Sequence, residues 1–106
     1  MPMRLTPRRR TVLRRAFERR FAPDARLWLY GSRTDDGMRG GDIDLMVQTA
    51  LDDPDALIES KLSCLADLHS TPEFDGEKID LVLWSPALQG PPQPIHRVAM
   101  AEGMEL

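Results

Sequence analysis

The sequence predicts an α+β domain, a small mixed β-sheet flanked by helices in the order α-β-β-α-β-α. Three observations predict it. Two long segments repeat apolar residues at helical spacing. Three short runs, LWLY, DIDLMV and KIDLVLW, have the length and residue types of strands. The connections also differ. About eleven residues of loop join the first two strands, which suits an antiparallel pair, and a helix joins the second to the third, which suits a parallel crossover.

The first helix starts at Thr6-Pro7, with Thr as cap and Pro in the first turn. Leu13, Phe17 and Phe21, with Val12 and Ala16 beside them, form an apolar stripe opposite Arg8, Arg15 and Arg19. The helix ends before Pro23. Residues 25–30 form the first strand, residues 31–41 a loop, and residues 42–48 the second strand. Asp53-Pro54 opens the second helix, where Leu57, Ile58, Leu62, Leu65 and Leu68 read as its buried stripe to about Ser70. Residues 71–77 turn, and residues 79–84 form the third strand. Gly90 to Pro94 is a stiff connector, and residues 95–102 form a short helix stopped by Gly103.

Length and composition bound the answer. A chain of 106 residues suits one domain spanning 1–106, and 42% hydrophobic with 29% charged residues suits an ordinary soluble protein. No apolar run approaches the roughly 20 residues of a membrane span. The basic N-terminus lacks the apolar stretch of a secretory signal. Cys64 is the single cysteine, so no internal disulfide and no cysteine-rich zinc site forms. A cytoplasmic location is expected. Net charge is −3 but uneven: residues 1–39 hold eleven arginines against four acids, residues 40–106 three basic residues against thirteen acids. That asymmetry suggests an anionic ligand or a charged partner. The arginine-rich helix reads first as a solvated face and second as a surface for RNA or an acidic partner. No interleaved aromatics support nucleic-acid reading, which leaves that partner open.

The chemistry concentrates around WLYGSRTDDGMRGGDIDLMV. Asp42 and Asp44 lie two apart on a strand, so they share a face while Ile43 and Leu45 take the other. A parallel pairing brings KIDLVLW into register with DIDLMV and sets Asp80 beside them. Three carboxylates at one sheet end repel unless a cation compensates. Oxygen ligands without Cys or His point to Mg²⁺ or Mn²⁺. Gly31 allows close backbone approach, Ser32 adds a hydroxyl and an N–H, and Arg33 and Arg39 add positive charge near a phosphate. Phosphate on one side and carboxylates on the other describe phosphoryl or nucleotidyl transfer with two metal ions. Asp80 is placed to help hold the second ion and to accept the proton of the attacking hydroxyl. His69 and His96 lack partnered ligand spacing and read as surface or capping residues; Trp28 and Tyr30 read as strand packing.

Gly31-Ser32 followed by Asp42-Ile43-Asp44 resembles the GS…DxD signature of the DNA polymerase β-like nucleotidyltransferase superfamily. LYGSR…RGGDIDLMV is especially similar to the minimal nucleotidyltransferases (MNT), and IHRVAMAEGMEL is similar to their short terminal helix and EG turn. The resemblance implies the nucleotidyltransferase fold, with Asp42, Asp44 and Asp80 as catalytic metal ligands and Gly31-Ser32 as the phosphate-binding turn. It implies ATP as substrate and Mg²⁺ as cofactor. Many such proteins are antitoxins encoded beside a HEPN-domain ribonuclease toxin, and studied members transfer AMP to a tyrosine of that toxin. One departure stands out: Thr34-Asp35-Asp36-Gly37 follow Arg33 where many relatives read GSRARG. A non-catalytic antitoxin that neutralises its toxin by contact, and an enzyme acting on a small-molecule acceptor, are the alternatives.

Overall fold

The computed structural model describes residues 6–22, 24–30 and 43–106. Helix α1 (Pro7–Phe21) is capped by the Thr6 hydroxyl, which accepts from the Arg9 amide at 3.1 Å. Strands β1 (Arg26–Tyr30) and β2 (Ile43–Gln48) follow, then α2 (Pro54–His69), capped by Asp53. Strand β3 (Ile79–Trp84) leads into a single helical turn, α3 (Pro86–Gln89). Helix α4 (Pro94–Glu102) and the two-residue strand β4 (Met104–Glu105) complete the order. The fold is a mixed four-stranded sheet, β3-β2-β1-β4, flanked by helices. Strand β1 runs antiparallel to β2 and to β4, whereas β2 and β3 are parallel.

Alternation along the strands gives the sheet two apolar faces. One carries Leu27, Leu29, Ile43, Leu45, Val47 and Leu81, packed with Leu13, Phe17 and Phe21 of α1, Cys64 and Leu68 of α2, and Phe74. The Phe17 and Phe21 rings stack with centroids 5.6 Å apart, as the i, i+4 spacing allows. Each fully buried Leu or Phe here contributes roughly 1.5–3 kcal/mol of transfer free energy. The other face carries Trp28, Tyr30, Met46 and Trp84, covered by Ala99 of α4. This second cover explains why Leu45, Met46 and Val47 are buried in succession.

Three expectations are corrected. The buried edge of α2 runs through Leu57, Cys64 and Leu68, while Ile58 and Leu62 face outward with 57% and 61% of their surface exposed. The five apolar residues span too wide an arc for one face, and α1 with the sheet meets only part of it. Pro94 belongs to α4 as its first-turn proline rather than to the connector. The chain also adds α3 and β4 to the expected order.

Part of the charge asymmetry is answered inside the fold. Arg20 of α1 forms a two-pronged bond with Asp67 of α2, at 2.7 and 3.0 Å. Arg8 bonds Glu73, and Arg9 reaches Glu77 at 3.1 Å while lying over the Phe74 ring. Arg26 of β1 grips Glu105 of β4 at 2.9 and 2.8 Å, tying the terminal strand to the sheet. N-terminal arginines thus pair with acids distant in sequence.

Candidate functional site

Tyr30, Asp44 and Asp80 form one row across three strands. Tyr30 is the register partner of Asp44 on the antiparallel side, and Asp44 is the partner of Asp80 on the parallel side. Residues level with one another in a sheet point to the same face. Adjacent strands lie roughly 4.7–4.9 Å apart, so the two carboxylates leave the sheet as neighbours. The flanking residues enforce this register. Ile43 and Leu45 are buried beside Asp44, at 1% and 0% exposure, and Leu81 is buried beside Asp80. Sliding either strand by one residue would send an aspartate into the apolar core.

The two acids differ in environment: Asp44 is half-buried and Asp80 is exposed. Tyr30 is buried, and its phenol is held above its ordinary pKa, first by burial and then by the negative charges of Asp44 and Asp80. Both carboxylates are therefore near enough to act on the end of β1.

The donor atoms of this pair are of the kind a hard divalent cation takes. Asp44 and Asp80 offer oxygen only. The softer ligands are engaged elsewhere. Cys64 lies in the core on the opposite face of the sheet, where burial pushes its thiol up to about 12. His69 Nε2 bonds the Glu77 carbonyl at 2.9 Å. His96 is buried, with Nδ1 accepting from the Gln93 amide at 3.0 Å and Nε2 3.1 Å from the Leu83 carbonyl. A carbonyl can only accept, so the His96 proton resides on Nε2 and both ring nitrogens are used. The ring also stacks on Trp84 with centroids 5.6 Å apart. His96 is thus the cap of α4 and its tie to β3.

Among the described residues no group of three or more side chains able to ligate a metal forms. Asp44 and Asp80 supply two of the three expected carboxylates. Asp42, and with it Gly31, Ser32, Arg33 and Arg39, lie outside the described residues.

The carboxylate row is braced from the C-terminal end of the chain. A Cβ on Gly103 would sit 2.6 Å from the Leu29 carbonyl oxygen, 2.9 Å from the Tyr30 Cβ and 2.5 Å from the Ala99 carbonyl oxygen. Only glycine lets the chain pass so close to the end of β1 and then pair as β4. Reading the sequence did not place Tyr30 level with Asp44 or assign Gly103 this contact. The first was recoverable from the antiparallel pairing; the glycine sits in the quoted EG turn, but its tight approach has no local signal. A separate concavity of about 340 Å³, lined by Asp24, Arg26, Gln48 and Thr49, lies at the other end of β1 and β2.

Comparison with protein-family models, with curated proteins and with solved structures finds no match to this chain. Among the described residues no helix is long and apolar enough to cross a membrane.

Proposed function

We propose that the chain is a cytoplasmic, Mg²⁺-dependent nucleotidyltransferase that moves AMP from ATP to a hydroxyl acceptor. The observation that carries this reading is the level placement of Asp44 and Asp80 on adjacent parallel strands, on one face of the sheet. The Gly31-Ser32 turn and Asp42 enter from the sequence motif, and so does the nucleotidyltransferase name for the fold. Within this reading the acceptor is a tyrosine of a HEPN-type toxin and the protein acts as its antitoxin. That partner rests on the sequence resemblance alone.

Asp44 and Asp80, with Asp42, would hold the metal. When bound there, a divalent cation neutralises charge on the triphosphate and on the attacking oxygen. In this reading exposed Asp80 would accept the acceptor's proton as its oxygen bonds to the α-phosphorus. The bridge between the α- and β-phosphates breaks and pyrophosphate leaves. Buried Tyr30, Ile43 and Leu45 fix the strand ends on which the acids stand, so the acids need little rearrangement to act together.

The test uses ATP labelled at either the α- or the γ-phosphate, Mg²⁺ and a co-encoded HEPN protein. Nucleotidyl transfer puts the α label, and not the γ label, on the partner. Toxin neutralisation without any label from the four NTPs would replace this reading with the non-catalytic antitoxin. A γ label on the partner would make the chain a kinase instead.

A further inference from the structure

The arginines of α1 are not all consumed by the internal ion pairs. Arg15 is exposed and has no ionic partner among the described residues. Arg19 lies 4.0 Å from Asp67, but Arg20 already occupies both oxygens of that carboxylate. Arg15 and Arg19 are one helical turn apart, and like charges at that spacing repel. They flank two adjoining concavities of about 410 and 160 Å³ that share Val12 and Arg15. Together these form a groove along α1, with Val12 and Ala16 in its floor, Thr11 on its lining and Arg15 and Arg19 along it; Arg8 and Asp67 also line it, but each is already bonded, to Glu73 and to Arg20.

We infer that this groove docks an acidic segment of a partner protein, one carrying carboxylates a helical turn apart beside an apolar side chain. Charge complementarity selects the carboxylates: an incoming pair would quench the repulsion between Arg15 and Arg19 and engage their planar guanidinium groups. The apolar floor selects a peptide over a nucleic acid. Single-stranded nucleic acids are gripped by exposed aromatic rings, and all six aromatic side chains of this chain are buried. The groove is built from α1 and α2, on the face of the sheet opposite to the row of Tyr30, Asp44 and Asp80. The inference therefore stands independently of nucleotide transfer.

The experiment measures fluorescence anisotropy of a labelled helical peptide with Glu at i and i+4 and Leu between them, titrated with the full chain. A single-stranded oligonucleotide of equal net charge serves as the second probe. Saturable peptide binding is expected, weakened about tenfold by Arg15→Gln with Arg19→Gln. Arg10→Gln, on another side of α1, is expected to leave the affinity unchanged. Thermal melts of each variant check that the fold is retained. Absence of peptide binding, equal weakening by Arg10→Gln, or tighter binding of the oligonucleotide would each overturn the inference.

Discussion

Asp44 of β2 and Asp80 of β3 are register partners in a parallel pair, so two carboxylates stand side by side on one face of the sheet. Asp80 is exposed, and Asp44 is half-buried between two buried apolar residues. Adjacent like charges cost stability when no cation is present. Asp80→Asn is therefore expected to melt at the same temperature as the parent protein, or higher, in the presence of a chelator. A clear drop in melting temperature would mean that Asp80 serves the fold instead.

Gly103 is the brace of that face. Its missing side chain lets the backbone pass the Leu29 carbonyl and the Tyr30 Cβ. Gly103→Ala must push α4 and β4 away from β1, at an expected cost of about 1–3 kcal/mol. Urea unfolding checks this, and loss of amide-exchange protection at Leu106, whose N–H bonds the Leu27 carbonyl, would localise it.

Helix α2 offers a contrast within a few residues. Leu57 is buried and Ile58 is exposed. Leu57→Ala is expected to cost about 2–4 kcal/mol, whereas Ile58→Ser and Leu62→Ser should each stay within about 0.5 kcal/mol. Chemical denaturation of the three variants measures the difference. Equal costs at Leu57 and Ile58 would contradict the observed orientation of the helix.

Acid should loosen the joints between elements. Hydrogen bonds from Arg20, Arg8 and Arg26 hold the carboxyls of Asp67, Glu73 and Glu105 below their ordinary values of 3.8, 4.5 and 4.5. A depressed folded-state pKa contributes stability above the unfolded value and loses it as pH falls through the folded one. Melting temperature is thus expected to fall as pH drops below about 4, and Asp67→Asn should flatten that acid limb. An Asp67→Asn profile parallel to that of the parent would show that the Arg20 pair does not contribute.

Much of the fold was legible because its periodicities are strong. Thr6-Pro7 and Asp53-Pro54 begin helices where caps and first-turn prolines say they should. Ile43–Gln48 and Ile79–Trp84 pair in the register their matching patterns suggest. Strand β4 was not legible, because two residues carry no period and depend on β1 for their pairing. The outward turn of Ile58 and Leu62 was hidden because apolar residues cover two sides of α2, and only the packing partners select one. The uneven charge suggested an external ligand, yet Arg8, Arg9, Arg20 and Arg26 find acids within the fold, 47 to 79 residues away in sequence. Of the candidate site, the level placement of Asp44 and Asp80 was anticipated. Its other half, Gly31, Ser32, Arg33, Arg39 and Asp42, lies outside the described residues.

The most direct measurement is transfer of the α label from ATP to the partner protein by wild type, Asp44→Asn and Asp80→Asn, each first shown to be folded. If the carboxylate pair holds the metal, wild type transfers only with Mg²⁺ or Mn²⁺, and each variant loses at least about a hundredfold in rate. Wild-type rates in both variants, or transfer by wild type that persists in a chelator, would contradict the assignment.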